Sequence, residues 1–233
     1  MKSQKKIVIF TGAGMSADSG VSTFRDTDGL WENHRIEDVC TAEAWQRNLR
    51  LVLDFYNARR AQLDHVTPNP GHLALAELET AFDHVTVITQ NVDDLHERAG
   101  STRIIHLHGE LRKARSERNP DLILPAPGPT RLGDLAPDGA QLRPHIVFFG
   151  EPVPEYERAL SEVRDADLLL VIGTSLAVYP AAGLIYQLPP ASPVWLIDPR
   201  PAPVAIPNPL TVIPERAAAG LPPLVADLIR RHP

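Results

Sequence analysis

A single cysteine, Cys40, occurs among 233 residues. That excludes an internal disulfide and any metal site built from several thiolates of one chain. Long apolar runs are also missing: the longest, Leu168–Ile172, falls far short of the roughly 20 residues needed to cross a bilayer. The early run Ile7–Phe10 meets a glycine turn before it reaches the length of a signal-peptide core. Positive charge is not in excess, with 23 Lys and Arg against 29 Asp and Glu and a net charge of −6. No general affinity for nucleic acid or anionic membranes is expected from that balance. What remains is the expectation of a soluble cytoplasmic protein, a monomer with neither a nucleic-acid nor a membrane partner.

Hydrophobic residues make up 43% of the chain, enough for one domain with a substantial core and a smaller insertion. Short apolar runs recur: KIVIFT (6–11), HVTVITQ (84–90), IIHLHG (104–109), HIVFFG (145–150), DLLLVIGT (167–174) and VWLID (194–198). Most are nearly continuous and rich in Val and Ile, as strands covered on both faces are. Helical periods lie between them, at 49–64, 72–82 and 155–163. This alternation predicts an α/β fold with a doubly wound, Rossmann-like parallel sheet. Two segments interrupt it, a helical one over 26–75 and an irregular one over 112–143, and together they predict a small lobe. The large lobe then takes 1–25, 76–111 and 144–233 of a single catalytic domain. Eleven of the 23 prolines fall between Pro189 and Pro223, so a loop-rich tail with a last helix near 221–231 is expected.

Four strand ends carry polar groups. The first strand runs into GAGMSADSG, where Gly12, Gly14 and Ala17 fit a permissive dinucleotide fingerprint and the turn allows backbone to approach a pyrophosphate. An ordinary hydride-transfer enzyme would also carry an acidic residue ending a second strand some 20 residues on, and no strand leads to one here. The second cluster, TQNVDDLH, offers Gln90, Asn91 and Asp93 where a helix cap accounts for only one of the three. His106 and His108 alternate onto one strand face. A metal pair, a satisfied core histidine and a general base near neutral pH all suit such a residue. The fourth, GTSLAVYP, presents Gly173, Thr174 and Ser175 to a phosphate.

In combination GAGMSADSGVSTFR, TQNVDDLH, HGEL, HIVFFGE and GTSLAVYP resemble the sirtuin family, the NAD-dependent protein lysine deacylases, over roughly residues 5–230. The bacterial members look most similar. The resemblance implies that Gly12, Ala13 and Gly14 hold the NAD pyrophosphate, with Ala17 on the same turn. It places Phe24 and Arg25 near the nicotinamide and phosphates. Gln90 and Asn91 fall on the nicotinamide ribose, Asp93 on the carboxamide, and Gly173, Thr174 and Ser175 on phosphate and ribose. Val147, Phe148, Phe149, Gly150 and Glu151 form the strand that pairs with an acyl-lysine substrate. The implied chemistry consumes NAD: the acyl oxygen displaces nicotinamide, and His108 as general base, beside catalytic Asn91, activates a ribose hydroxyl. The products are free lysine, nicotinamide and an O-acyl-ADP-ribose.

Tyr56 and Arg59 lie three apart on one helix and match a pair that reads succinyl- or malonyl-lysine in some sirtuins. The plainer alternative keeps Tyr56 on the apolar stripe with Arg59 reaching out from its edge. Sirtuins usually carry two cysteine pairs after HGEL that hold a structural zinc. Residues 112–143 contain no cysteine, and Ser116 stands where the first would be. No zinc is expected, the lobe relying on residues such as Leu122, Ile123, Leu124 and Leu132. The family often has an asparagine near Ile197 at the adenosine ribose; Asp198 is expected to take over hydroxyl binding there, and the adenine end is expected near Ala218. An ADP-ribosyltransferase or NAD glycohydrolase using the same site is the main rival, and a non-catalytic NAD-binding module the third.

Overall fold

The computed structural model describes residues 3–21, 30–31 and 34–231. In chain order the strands are β1 (Ser3–Thr11), β2 (Leu30–Trp31), β3 (His34–Arg35), β4 (Phe82–Thr89), β5 (Ile104–His106) and β6 (Gly109–Ser116). They continue with β7 (Ile123–Pro125), β8 (Leu142–Ile146), β9 (Leu168–Ile172), β10 (Val194–Ile197) and β11 (Leu210–Ile213). The α-helices are α1 (Ile36–Val39), α2 (Ala42–Arg47), α3 (Leu49–Gln62), α4 (Pro70–Ala81), α5 (Leu95–Ala99), α6 (Tyr156–Arg164) and α7 (Ala217–Arg231).

Six strands form one all-parallel sheet in the order β11-β10-β9-β1-β4-β5. Counting only these six, the order is the 3-2-1-4-5-6 of a dinucleotide-binding sheet, so the topological switch lies between β1 and β9. The strands read as continuous apolar runs because helices cover both faces. Ile7 and Ile9 of β1 pack with α4 and α7 residues such as Leu75, Leu78, Leu221 and Val225. Val8 and Phe10 face the other way, onto Ala159, Leu160 and Val163 of α6 and the 3-10 turn at Ala181–Gln187. No helix among the described residues is long and apolar enough to cross a membrane.

Of the 26–75 segment expected to be helical, 36–65 is largely so, whereas its described start is not: β2 and β3 pair antiparallel there. Asn48 caps α3 and Asn69 caps α4, the latter in a capping box closed by His72. Two further expectations are corrected. HIVFFG does not join the parallel sheet: β8 ends at Ile146 and pairs antiparallel with β6, while Val147–Phe149 runs on outside any strand. The 112–143 segment is not irregular throughout. Its ends and middle make a three-stranded antiparallel sheet, β7-β6-β8. Nor do the four residues expected there form the lobe's core: Ile123 is 41% and Leu132 57% exposed, and Leu122 and Leu124 are only half-buried. Leu111, Ala114, Ala126, Ala136 and Ile146 are buried instead. Hydrogen bonds supply much of the rest: Ser116 Oγ donates to Asp138 Oδ2 at 2.7 Å and accepts from the backbone N–H groups of Arg118 and Asn119 at 3.1 Å. The terminal helix begins four residues before the expected 221, at Ala217, and carries Pro222 and Pro223 inside it, in its second turn, where neither can donate to the helical ladder.

Candidate active site

At the switch point the ends of β1 and β9 are tied together. Gly12 N donates to Ile172 O at 3.0 Å and Gly14 N to Gly173 O at 2.8 Å. A Cβ on Gly12 would stand 2.8 Å from Gly173 O, and one on Gly14 2.7 Å from Gly173 Cα. Gly173 itself has φ +59. These glycines are therefore required by the mutual approach of two turns as well as by access for a ligand.

A cavity of about 550 Å³ opens above them, lined by residues from every predicted cluster that the structure describes. Gly12, Ala13, Gly14 and Ala17 form one wall, with Gly173, Thr174 and Ser175 beside them. Gln90, Asn91, Asp93 and His108 form the next, reached from β4 and β5. Asp198 lies at the far end, its carboxylate accepting from Arg200 N at 2.8 Å. Ala218 is not in the lining; its neighbour Ala217 is, because α7 turns that residue toward the strand ends. Phe24 and Arg25 lie outside the described residues.

Gln90 Nε2 donates to Thr174 Oγ1 at 3.1 Å, bridging the second and fourth motifs. Asp93 is buried, and burial pushes its carboxyl pKa up, opposed by hydrogen bonds from Ser16 and from the Leu95 backbone. Ser16 is the residue sequence reasoning missed. It is fully buried, donates to Asp93 Oδ2 at 2.9 Å and accepts from Asn91 Nδ2 at 3.1 Å. The available signal was a hydroxyl two residues past the second glycine of the fingerprint.

His108 sits beyond the last residue of β5, with Nδ1 3.1 Å from the Gln90 carbonyl. A carbonyl only accepts, so Nδ1 carries the proton and Nε2 is left as the basic atom. Burial lowers the His108 pKa, partly opposed by that carbonyl, and keeps the ring neutral at pH 7.

The same cavity reaches Cys40, Tyr56 and Arg59. Tyr56 is both a core residue and a lining residue, packed edge-on to Phe55 and tilted against Phe148. Arg59 does not reach out to solvent: it is 5% exposed, with Nη1 donating to Gln62 Oε1 at 2.9 Å. The Tyr56 hydroxyl donates to Cys40 Sγ at 3.4 Å, and burial raises the thiol pKa to about 12, so Cys40 is a neutral, unreactive thiol. Phe149 N donates to Cys40 O at 2.8 Å and Val147 N to His108 O at 3.0 Å, fastening the 147–149 segment between the two walls. Glu151 braces its own turn. Its carboxylate accepts from Phe148 N at 2.8 Å and pairs with Arg143 at 2.7 Å and Arg115 at 3.1 Å. Gly150 supplies the positive φ of +88 between them.

A family model described as the Sir2 family matches residues 12–180. The chain belongs to the Sir2 family. This sirtuin is 52% identical over 231 residues to a Bacteroides thetaiotaomicron protein named NAD-dependent protein deacylase, covering 97% of this chain and 98% of the relative. A Helicobacter pylori protein of the same name is 52% identical over 225 residues, with the same coverage of both chains. Among solved structures, a Sir2 homologue mutant bound to ADP-ribose superposes with a TM-score of 0.87 at 36% identity, covering 97% of this chain and 92% of the other. A Sir2 homolog–NAD complex gives 0.85 at 36% identity, covering 97% and 90%.

Proposed function

We propose that this sirtuin is an NAD-dependent protein lysine deacylase whose acyl pocket favours acyl groups ending in a carboxylate. The observation that carries the reading is His108. It is a buried neutral imidazole with Nδ1 held by a carbonyl and Nε2 available as a base, in one cavity with Asn91, the glycine turn and the 147–151 segment. The residues fit a dinucleotide: two tight turns at a switch point, a hydroxyl at Thr174 and a buried carboxylate at Asp93. Two close relatives of this chain are named NAD-dependent protein deacylases, which supports the same co-substrate.

Bound NAD supplies an electrophilic ribose carbon and nicotinamide as leaving group. In this reading the backbone of Gly12, Ala13 and Gly14, with Ala17, Gly173, Thr174 and Ser175, receives the phosphates and adjoining ribose. Gln90 and Asn91 orient the nicotinamide ribose, Asp93 holds the carboxamide, and Asp198 binds at the adenosine end. His108 accepts at Nε2 the proton of a ribose hydroxyl, making that oxygen a nucleophile toward the acyl carbon. Val147, Phe148 and Phe149 line the entry of the acyl-lysine, held open by the Glu151–Arg143–Arg115 network. A protein substrate is consistent with a Sir2 homologue solved with a p53 peptide and NAD.

Tyr56 and Arg59 supply a phenol and a buried guanidinium at the acyl end, a pairing suited to the carboxylate of succinyl- or malonyl-lysine. The small lobe does not fit zinc. At Ser116 the hydroxyl is engaged by Asp138 and two backbone amides, and neither a hydroxyl nor a carboxylate replaces thiolates in a tetrahedral structural site. The decisive test of the assignment is His108→Ala. The folded variant is expected to lose deacylation of acyl-lysine peptides, and wild-type turnover from it would overturn the reading.

A further inference from the structure

The second histidine of the pair is not in the cavity, and its bonds differ from those of His108. β5 runs beside β4 with His106 opposite Thr89, and the last ladder bond is Leu107 N to Thr89 O at 2.9 Å. Past that point Gln90 and Asn91 leave the sheet and the pairing is continued by side chains. His108 Nδ1 lies 3.1 Å from Gln90 O and His106 Nδ1 lies 3.3 Å from Asn91 O, so two imidazoles two residues apart, at and just past the end of β5, hold consecutive carbonyls just past the end of β4.

His106 Nε2 is also engaged, at 2.6 Å from Glu97 Oε1 on α5. A carbonyl and a carboxylate are both acceptors, so both ring nitrogens carry protons and His106 is an imidazolium. Burial opposes that charge, but the bond to Glu97 and its charge outweigh it, with Glu110 and the Asn91 carbonyl adding to the upward shift. The other titratable groups around it are accounted for. Glu110 on β6 is held by Lys113 at 2.6 Å, His145 on β8 is kept neutral with a pKa of about 4, and His96 on α5 is neutral through burial. The imidazolium also favours the ionised form of Asp93 on the next turn.

We propose that His106 is a positioning residue: paired with Glu97, it fixes the Asn91 backbone from outside the cavity so that Asn91 and Asp93 meet the nicotinamide ribose and carboxamide. The inference rests on the deacylase reading only in taking NAD as the ligand of that segment. A neutral His106 keeps one of its two proton-bearing nitrogens, so it must give up either the Asn91 carbonyl or Glu97. NAD use is thereby linked to the charge of a residue that does not touch NAD.

Steady-state kinetics in NAD and NAD binding by calorimetry test this on the whole protein. His106→Leu is expected to lower kcat/KM for NAD about tenfold, the loss of one charge-assisted hydrogen bond, with the KM for acyl-peptide unchanged. Glu97→Gln, which leaves Nδ1–H on the Asn91 carbonyl, is expected to fall between that variant and wild type. Wild-type kcat/KM for NAD should decline at alkaline pH, and in Glu97→Gln the decline should move to lower pH. Wild-type NAD kinetics in His106→Leu overturn the proposal, as does a loss that tracks only the folded fraction with KM unchanged. Should His106→Leu fail to fold, an unshifted alkaline limb in Glu97→Gln overturns it. Asn91→Ala separates the two readings. Its loss of NAD turnover beside a wild-type His106→Leu removes the positioning role alone, and wild-type NAD kinetics in Asn91→Ala remove NAD as the ligand of the segment.

Discussion

Ser16 and Asp93, 77 positions apart, meet through a 2.9 Å hydrogen bond in which the serine hydroxyl donates to the carboxylate. The same oxygen accepts from Asn91, so one hydroxyl joins the glycine turn after β1 to the polar turn after β4. Ser16→Ala removes that bridge and leaves Asp93, whose carboxyl burial already pushes toward protonation, with one fewer donor. A hydrogen bond to a charged group is worth about 1.5–3 kcal/mol, so kcat/KM for NAD should fall at least about tenfold. Unchanged NAD kinetics in a folded Ser16→Ala protein would show the bridge to be dispensable.

Legibility of the molecule followed burial. Ile7–Phe10 and Leu168–Ile172 could be read as strands because helices on both sides leave no polar position in them. β6 could not, because its second half is polar: Arg115 and Ser116 are buried through partners, Glu151 and Asp138, that a local window does not contain. β11 was hidden by flanking prolines and by its edge position, with Leu210 and Val212 partly exposed. Gly12, Asn91 and His108 stood out as strand-end residues. Ser16 did not, since a serine inside a glycine turn has no periodic signature and its partners lie in another crossover.

The proposed acyl preference rests on Tyr56 and Arg59, which line the cavity. Arg59→Met removes the buried guanidinium of the pocket while keeping its bulk, and should lower kcat/KM for succinyl- or malonyl-lysine peptides by at least about tenfold, with acetyl-lysine affected far less. A peptide panel on both proteins measures this. Equal losses for all acyl groups would make the arginine structural.

The small lobe offers a metal-independent prediction. Ser116→Ala deletes one donor and an acceptor shared by two backbone amides, which should cost about 1–3 kcal/mol in denaturant unfolding. Chelator should leave the wild-type melting temperature unchanged. Stoichiometric zinc by elemental analysis, or a melting temperature that falls with chelator, would contradict a zinc-free lobe.

Stability should also depend on pH with a definite sign. Burial lowers the pKa of His72 from 6.5 to about 4 and depresses those of His96, His108 and His145. The unfolded chain therefore binds more protons below pH 6.5 than the folded one, and stability is lost as pH falls from 6.5 toward 4. Each such histidine contributes about 1.4 kcal/mol per pH unit within its window. His106 has the opposite sign, its contribution being complete below pH 6.5 and lost as pH rises through its raised pKa. Melting temperatures across pH 4.5–6.5 check this; a flat profile would mean the buried histidines are not neutral.

The most direct test of the central claim is nicotinamide release from NAD by the purified protein, with and without an acyl-lysine peptide. Release is expected to depend on the peptide and to match, mole for mole, the lysine freed and the O-acyl-ADP-ribose formed. Equal release without peptide, or deacylation without NAD consumption, would contradict it.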